Sequence, residues 1–312
     1  MDAFEKIHYR FICSSLFAAV VAGTWDAWWH GALGRESFWS PPHVLLYSSV
    51  ILAIIAGVHG WYRTREKIWR KLATLLVLVP ASAPFDELWH RAFGVENLSS
   101  PLIVWSPPHI VLIGSIVGSF LMLLPIIRRD ENINAQRLFG PLTFAGILSL
   151  FLFLAAPFQP TGPYTLLGFW GAGIIAGLIV GVILFAKKWV PDFGGAVLTI
   201  TFFILLSSIG LPEQLAPGVD VPPHAHAPAW LTVFALLIPA LWVDLTKRMS
   251  TVTIGIVAGI VYGAILYGFS SNFFEPAFRY SSESMFIAIV ASAVGGLGAG
   301  LLKRSKPGDG HK

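Results

Sequence analysis

Long apolar runs alternate with short polar breaks along the whole chain, and the runs set the architecture. Ten of them approach 20 residues, about the length an α-helix needs to cross bilayer hydrocarbon. They cover 9–29, 41–61, 71–90, 107–127, 138–157, 164–186, 194–211, 226–245, 252–271 and 284–302. A chain in lipid must satisfy its backbone internally, so runs of this length predict helices. The expected fold is an all-α integral membrane protein of about ten transmembrane helices. It forms a single polytopic domain over 1–312, ending in a short polar tail at 303–312.

Composition agrees with that pattern. Hydrophobic residues make up 55% of the chain and charged residues 12%, with a mean hydropathy of +0.70. A soluble domain carries roughly a quarter charged residues. The single cysteine, Cys13, lies in the first apolar run and excludes both a disulfide framework and a thiolate metal site.

Charge then orients the helices. Of the 21 Lys and Arg residues, 18 fall at alternate breaks, from Lys6 and Arg10 through Arg63–Lys71, Arg128–Arg137, Lys187–Lys188 and Lys247–Arg248 to the tail. The intervening breaks hold only Arg35, Arg91 and Arg279. The positive-inside rule places both termini in the cytoplasm. Basic residues sorted in this way form no nucleic-acid surface, and no nucleic-acid partner is expected. The first run follows a basic stretch, as a signal peptide would, yet it ends in Trp25-Asp-Ala-Trp-Trp-His30 and has an internal counterpart ending at Asp86. It is read as a retained span. The expected setting is the plasma membrane of a bacterium or archaeon, with the lipid bilayer itself as the first partner.

One polar break occurs twice. Asp26-Ala-Trp-Trp-His30 leads to Gly34-Arg-Glu36 and Trp39-Ser-Pro-Pro-His43, and Asp86-Glu-Leu-Trp-His90 leads to Gly94-Val-Glu96 and Trp105-Ser-Pro-Pro-His109. Each block closes one apolar run and opens the next. This predicts tandem helical hairpins at 9–61 and 71–127, in parallel orientation, followed by a helical bundle over 128–302. The second loop is longer, within Asn97 to Val104. A fainter echo, Glu213 followed by Val221-Pro-Pro-His224-Ala-His226, is either a degenerate third copy or a coincidence.

The repeated block carries the candidate chemistry. An aspartate costs about 2.5–3.5 kcal/mol at bilayer centre and less near the interface, so a repeated one calls for a use. Asp26 and His30 are one helical turn apart, as are Asp86 and His90, which places each pair on one helix face. The Pro-Pro pairs suit the first turn of the following helix and carry His43 and His109 to the same membrane depth. Asp26, His30 and His43 then form one two-His, one-carboxylate metal triad, and Asp86, His90 and His109 a second. Such a set leaves coordination positions open and suits copper or iron, with zinc also accommodated. The triads form two sites or one dinuclear centre. Glu36 and Glu96 are the candidate catalytic proton carriers, and otherwise further ligands or outer partners of the ligands. The alternative is an ordinary Asp–His ion pair at a helix end. The surrounding tryptophans read as an interfacial belt. His-x-His at His224 and His226, with Glu213, reads mainly as solvated loop, and Asn272–Tyr280 with Glu275 and Arg279 as an interfacial loop. His8 and His59 are read as incidental.

The spacing Asp26-x3-His30-x12-His43 resembles the membrane metal motif in the C subunit of the particulate methane and ammonia monooxygenases, over about eighteen residues. The resemblance implies copper held by those three side chains, oxidation of a small apolar substrate with O2, and partner subunits. That subunit has fewer spans than ten, and the second triad here is more widely spaced. Clustered histidine boxes, a His-Glu-x-x-His zinc motif and a Gly-rich phosphate loop are absent. The expected function is a metal-dependent membrane oxidoreductase of monooxygenase type. It would act on a small apolar or lipid-soluble substrate at the extracytoplasmic side, alone, as a homo-oligomer or with partner subunits. Two alternatives use the same residues: a zinc-dependent membrane hydrolase, and a metal or proton transporter. A purely structural subunit of a larger complex is a further reading.

Overall fold

The computed structural model describes residues 1–33, 39–93, 104–155, 169–190, 194–209, 229–246, 249–273 and 282–301. Among them are ten helices and no strand: α1 (Ala3–Leu33), α2 (Pro41–Thr64), α3 (Lys67–Phe93), α4 (Pro107–Arg128), α5 (Ile133–Leu154), α6 (Phe169–Trp189), α7 (Gly195–Ile209), α8 (Ala229–Leu245), α9 (Thr251–Phe273) and α10 (Ser282–Leu301). Each overlaps one apolar run of the sequence. Five are long and apolar enough to cross a membrane by length and composition, namely α2, α3, α4, α5 and the Ala3–Asp26 part of α1. Large apolar side chains such as Ile55 and Phe286 stand on the outer surface, 60% and 66% exposed. Water would penalise that surface, whereas acyl chains solvate it.

Helices consecutive in the chain are neighbours in space. α1 packs on α2, α2 on α3, α3 on α4, and α4 on α5. α5 also meets α1, α6 and α7, and so joins the first four helices to the rest. One apolar core runs through them, with Ile12 and Leu16 of α1, Trp69 and Leu76 of α3, Phe120 of α4 and Leu148 of α5 fully buried. Close approach depends on small residues. A methyl group on Gly60 of α2 would run into the Trp69 ring of α3.

Prolines interrupt α3 at Pro80 and Pro84, one turn apart and just before Asp86. Each removes an amide donor and leaves the carbonyl four residues earlier without its helical partner. The helix nevertheless continues to Phe93, as helices in protein-packed membrane settings tolerate.

The end of the bundle that carries most of the basic residues is tied together by one acid. Asp130, between α4 and α5, is fully buried. It accepts hydrogen bonds from Tyr9 Oη and Arg10 Nη2 of α1, both at 2.6 Å, and from the Asn132 amide at 3.1 Å. Lys6 Nζ lies 3.7 Å away. Burial opposes ionisation of this carboxyl, but the bonds from Tyr9, Arg10 and Asn132 outweigh it and pull its pKa down to about 2. A carboxyl held below its unfolded value, about 3.9, adds stability at higher pH and loses it as pH falls through the folded value. Asp130→Asn is expected to lower stability in detergent by about 2 kcal/mol at neutral pH. The gap between the two melting curves closes between about pH 4 and pH 2. Equal melting temperatures at neutral pH would show that the network contributes nothing. Gly60→Ala is expected to cost about 1–3 kcal/mol through overpacking against Trp69, read as a lower melting temperature.

Candidate metal centre

The second repeated block gathers its three residues. Asp86 and His90 lie one turn apart at the end of α3, and His109 lies in the first turn of α4. His90 Nε2 is 3.4 Å from Asp86 Oδ2, and His109 Nε2 is 3.3 Å from Asp86 Oδ1. The two imidazole rings meet edge to face at 5.3 Å. One donor atom from each residue lies within 4.8 Å of the other two. The side chains are sheltered, at 23%, 9% and 14% exposure for Asp86, His90 and His109. Ligands bound at 2.0–2.2 Å to one ion stand about 3–3.5 Å apart, so both aspartate–histidine distances already suit a shared ion.

Local structure places His109. Ser106 caps α4: its hydroxyl accepts from the His109 amide at 3.2 Å, while Pro107 and Pro108 fill the positions that need no amide donor. Trp105 Nε1 donates to the Leu154 carbonyl at the end of α5 at 2.8 Å, which anchors the turn. Phe153 of α5 presents its ring edge-on to His109 at 6.1 Å.

In the first block the histidine after the Pro-Pro pair again meets the aspartate of the preceding helix. His43 Nε2 lies 3.0 Å from Asp26 Oδ1, and the His43 ring stacks on Tyr47. His30 belongs to α1, but its side chain lies outside the described residues, as do Glu36 and Glu96. Ser40 has nearly the backbone angles of Ser106, φ −57° and ψ 150° against −57° and 145°. Its hydroxyl makes no cap bond, and among the described residues it is buried without a hydrogen-bond partner. Trp39 is 71% exposed, whereas its counterpart Trp105 is held against α5. Glu213, His224, His226, Glu275 and Arg279 also lie outside the described residues.

An apolar cavity of about 540 Å³ opens between α3 and α4. Phe85, Trp89 and Pro108 line it, with Leu78, Phe93 and Val111 among the other walls. Those first three are the chain neighbours of Asp86, His90 and His109, and none of the three acidic and imidazole side chains lines the cavity itself. Sequence reasoning singled out the triad through its repetition. It missed the cavity, whose apolar walls look like any lipid-facing helix surface.

Comparison with protein-family models, with curated proteins and with solved structures finds no match to this chain.

The two caps make a matched pair for mutation. Ser106→Ala removes a formed cap bond and is expected to cost about 1 kcal/mol. Ser40→Ala removes a buried hydroxyl without a partner and is expected to be neutral or slightly stabilising. Thermal unfolding of both variants in one detergent checks this, and equal losses would contradict it.

Proposed function

We propose that Asp86, His90 and His109 hold a transition-metal ion, and that Asp26, His30 and His43 hold a second ion or complete the same centre. In this reading the chain spans the membrane ten times with both ends cytoplasmic, and the centre faces the extracytoplasmic side. Its activity is that of a metal-dependent oxidoreductase of monooxygenase type, acting on a small apolar or lipid-soluble substrate. The observation that carries the reading is the convergence of two imidazoles and one carboxylate from two helices on a volume the size of one ion.

Each part of the chain then has a task. Asp86 supplies the negative charge that offsets a cation, and the two histidines supply neutral nitrogen donors. A copper or iron ion held there would supply redox chemistry with O2 at positions the three side chains leave open. The cavity walls, Phe85, Trp89 and Phe93 among them, offer an apolar molecule a place beside the centre. Glu36 and Glu96, which follow the helix-end histidines in sequence, are assigned to proton movement.

Metal content decides the matter. Protein purified in detergent without a histidine tag is expected to carry copper or iron by elemental analysis. His90→Ala, His109→Ala and Asp86→Asn are each expected to lose the ion of that centre, at least half of the metal if the first triad holds its own, while keeping the parent's helical circular dichroism. Zinc in place of copper or iron would move the assignment to a membrane hydrolase, with water as nucleophile. Metal content unchanged across all three variants would overturn the site.

A further inference from the structure

The hairpin of α1 and α2 carries another imidazole pair at its opposite end. Asp26 and His43 mark one end, where α1 finishes and α2 begins. His8, in the second turn of α1, and His59, near the end of α2, mark the other. His8 Nε2 and His59 Nδ1 face each other at 3.1 Å, with ring centroids 5.0 Å apart. His8 Nδ1 is 2.8 Å from the Phe4 carbonyl oxygen. A carbonyl only accepts, so Nδ1 carries the proton and Nε2 of the neutral ring turns its lone pair toward His59. A backbone carbonyl orienting the far nitrogen is the usual outer partner of a metal-binding histidine. Phe4 also fixes both rings, stacking on His8 at 3.8 Å and meeting His59 edge-on at 5.1 Å.

These distances fit an ion as well as they fit a hydrogen bond. An ion bound at about 2.0–2.1 Å to two nitrogens at this separation subtends about 100°, between the square-planar and tetrahedral values. His59 is exposed and His8 half-buried, so the remaining positions are open to water. We propose that His8 and His59 form a further transition-metal site, an imidazole pair at the far end of the first hairpin. Its two nitrogen donors select borderline ions, Cu2+ most strongly and Zn2+ next, over hard ions such as Mg2+ and Ca2+. It stands apart from the Asp86 centre in position and in ligands.

Copper alone is the probe. Full-length protein without a histidine tag, carrying Asp86→Asn, His90→Ala, His109→Ala, Asp26→Asn, His30→Ala and His43→Ala to remove the centres proposed above, is titrated with Cu2+ and followed by electron paramagnetic resonance. One equivalent is expected to bind with nitrogen hyperfine structure, to be displaced by excess Zn2+, and to be unaffected by Mg2+. His8→Gln and His59→Gln are each expected to weaken that binding at least tenfold. A second measurement needs no substitution. In the native chain, copper-catalysed oxidation with ascorbate, mapped by mass spectrometry, is expected to mark His8 and His59. Unchanged Cu2+ binding in both glutamine variants, or oxidation confined to other residues, would overturn the proposal and leave a plain hydrogen bond. The result is independent of the Asp86 and Asp26 triads, whose ligands are all replaced in the titrated protein.

Discussion

A carboxylate near hydrocarbon must meet its partners inside the protein, and this constraint organises both ends of the molecule. Ionised side chains are costly in low-dielectric surroundings unless neighbours replace the lost water. Asp130 meets the condition with a phenol, a guanidinium and a backbone amide drawn from α1 and its own turn. Asp86 meets it with two imidazoles from α3 and α4, and Asp26 with at least one from α2. The chemical difference between the ends lies in the partners. Guanidinium and ammonium are permanent cations and neutralise the acid outright. An imidazole carries no permanent charge and offers a ring nitrogen that can itself bind a cation, so a carboxylate with such partners suits a shared ion.

Helix positions were legible in the sequence because lipid permits few alternatives to a helix, and each apolar run overlaps one helix. The Asp86 cluster was legible for another reason. Its residues recur in the same order, with the same Asp–His spacing and the same Trp-Ser-Pro-Pro-His ending, a pattern that needs no folding argument to be noticed. Asp130 stands in a run of charged residues and carries no spacing signal, so its burial follows only from the packing of α1 against α5. The His8–His59 pair was hidden likewise, since 51 residues separate two histidines that look unremarkable singly.

The repeat also conceals a divergence. Both Ser-Pro-Pro-His segments start a helix with nearly the same backbone angles, yet only Ser106 closes its cap bond, and Trp105 donates to the Leu154 carbonyl of α5. Position within the bundle explains the tryptophans: the second hairpin lies against α5, and Trp39 of the first hairpin points outward. Identical sequence in two settings yields two contact sets, because contacts are a property of the neighbourhood.

Paired prolines at 80 and 84 give α3 an uneven mechanical character. Below them the helix is clamped to α2 through Trp69 and Leu76. Above them, the turn bearing Asp86 and His90 is joined to that rigid shaft by a segment lacking two rungs of its ladder. Such a joint is compliant. Small rotations of the upper turn relative to α4 need not travel down the rod, so the aperture between the Asp86 carboxylate and the His109 ring can adjust while the stem stays still.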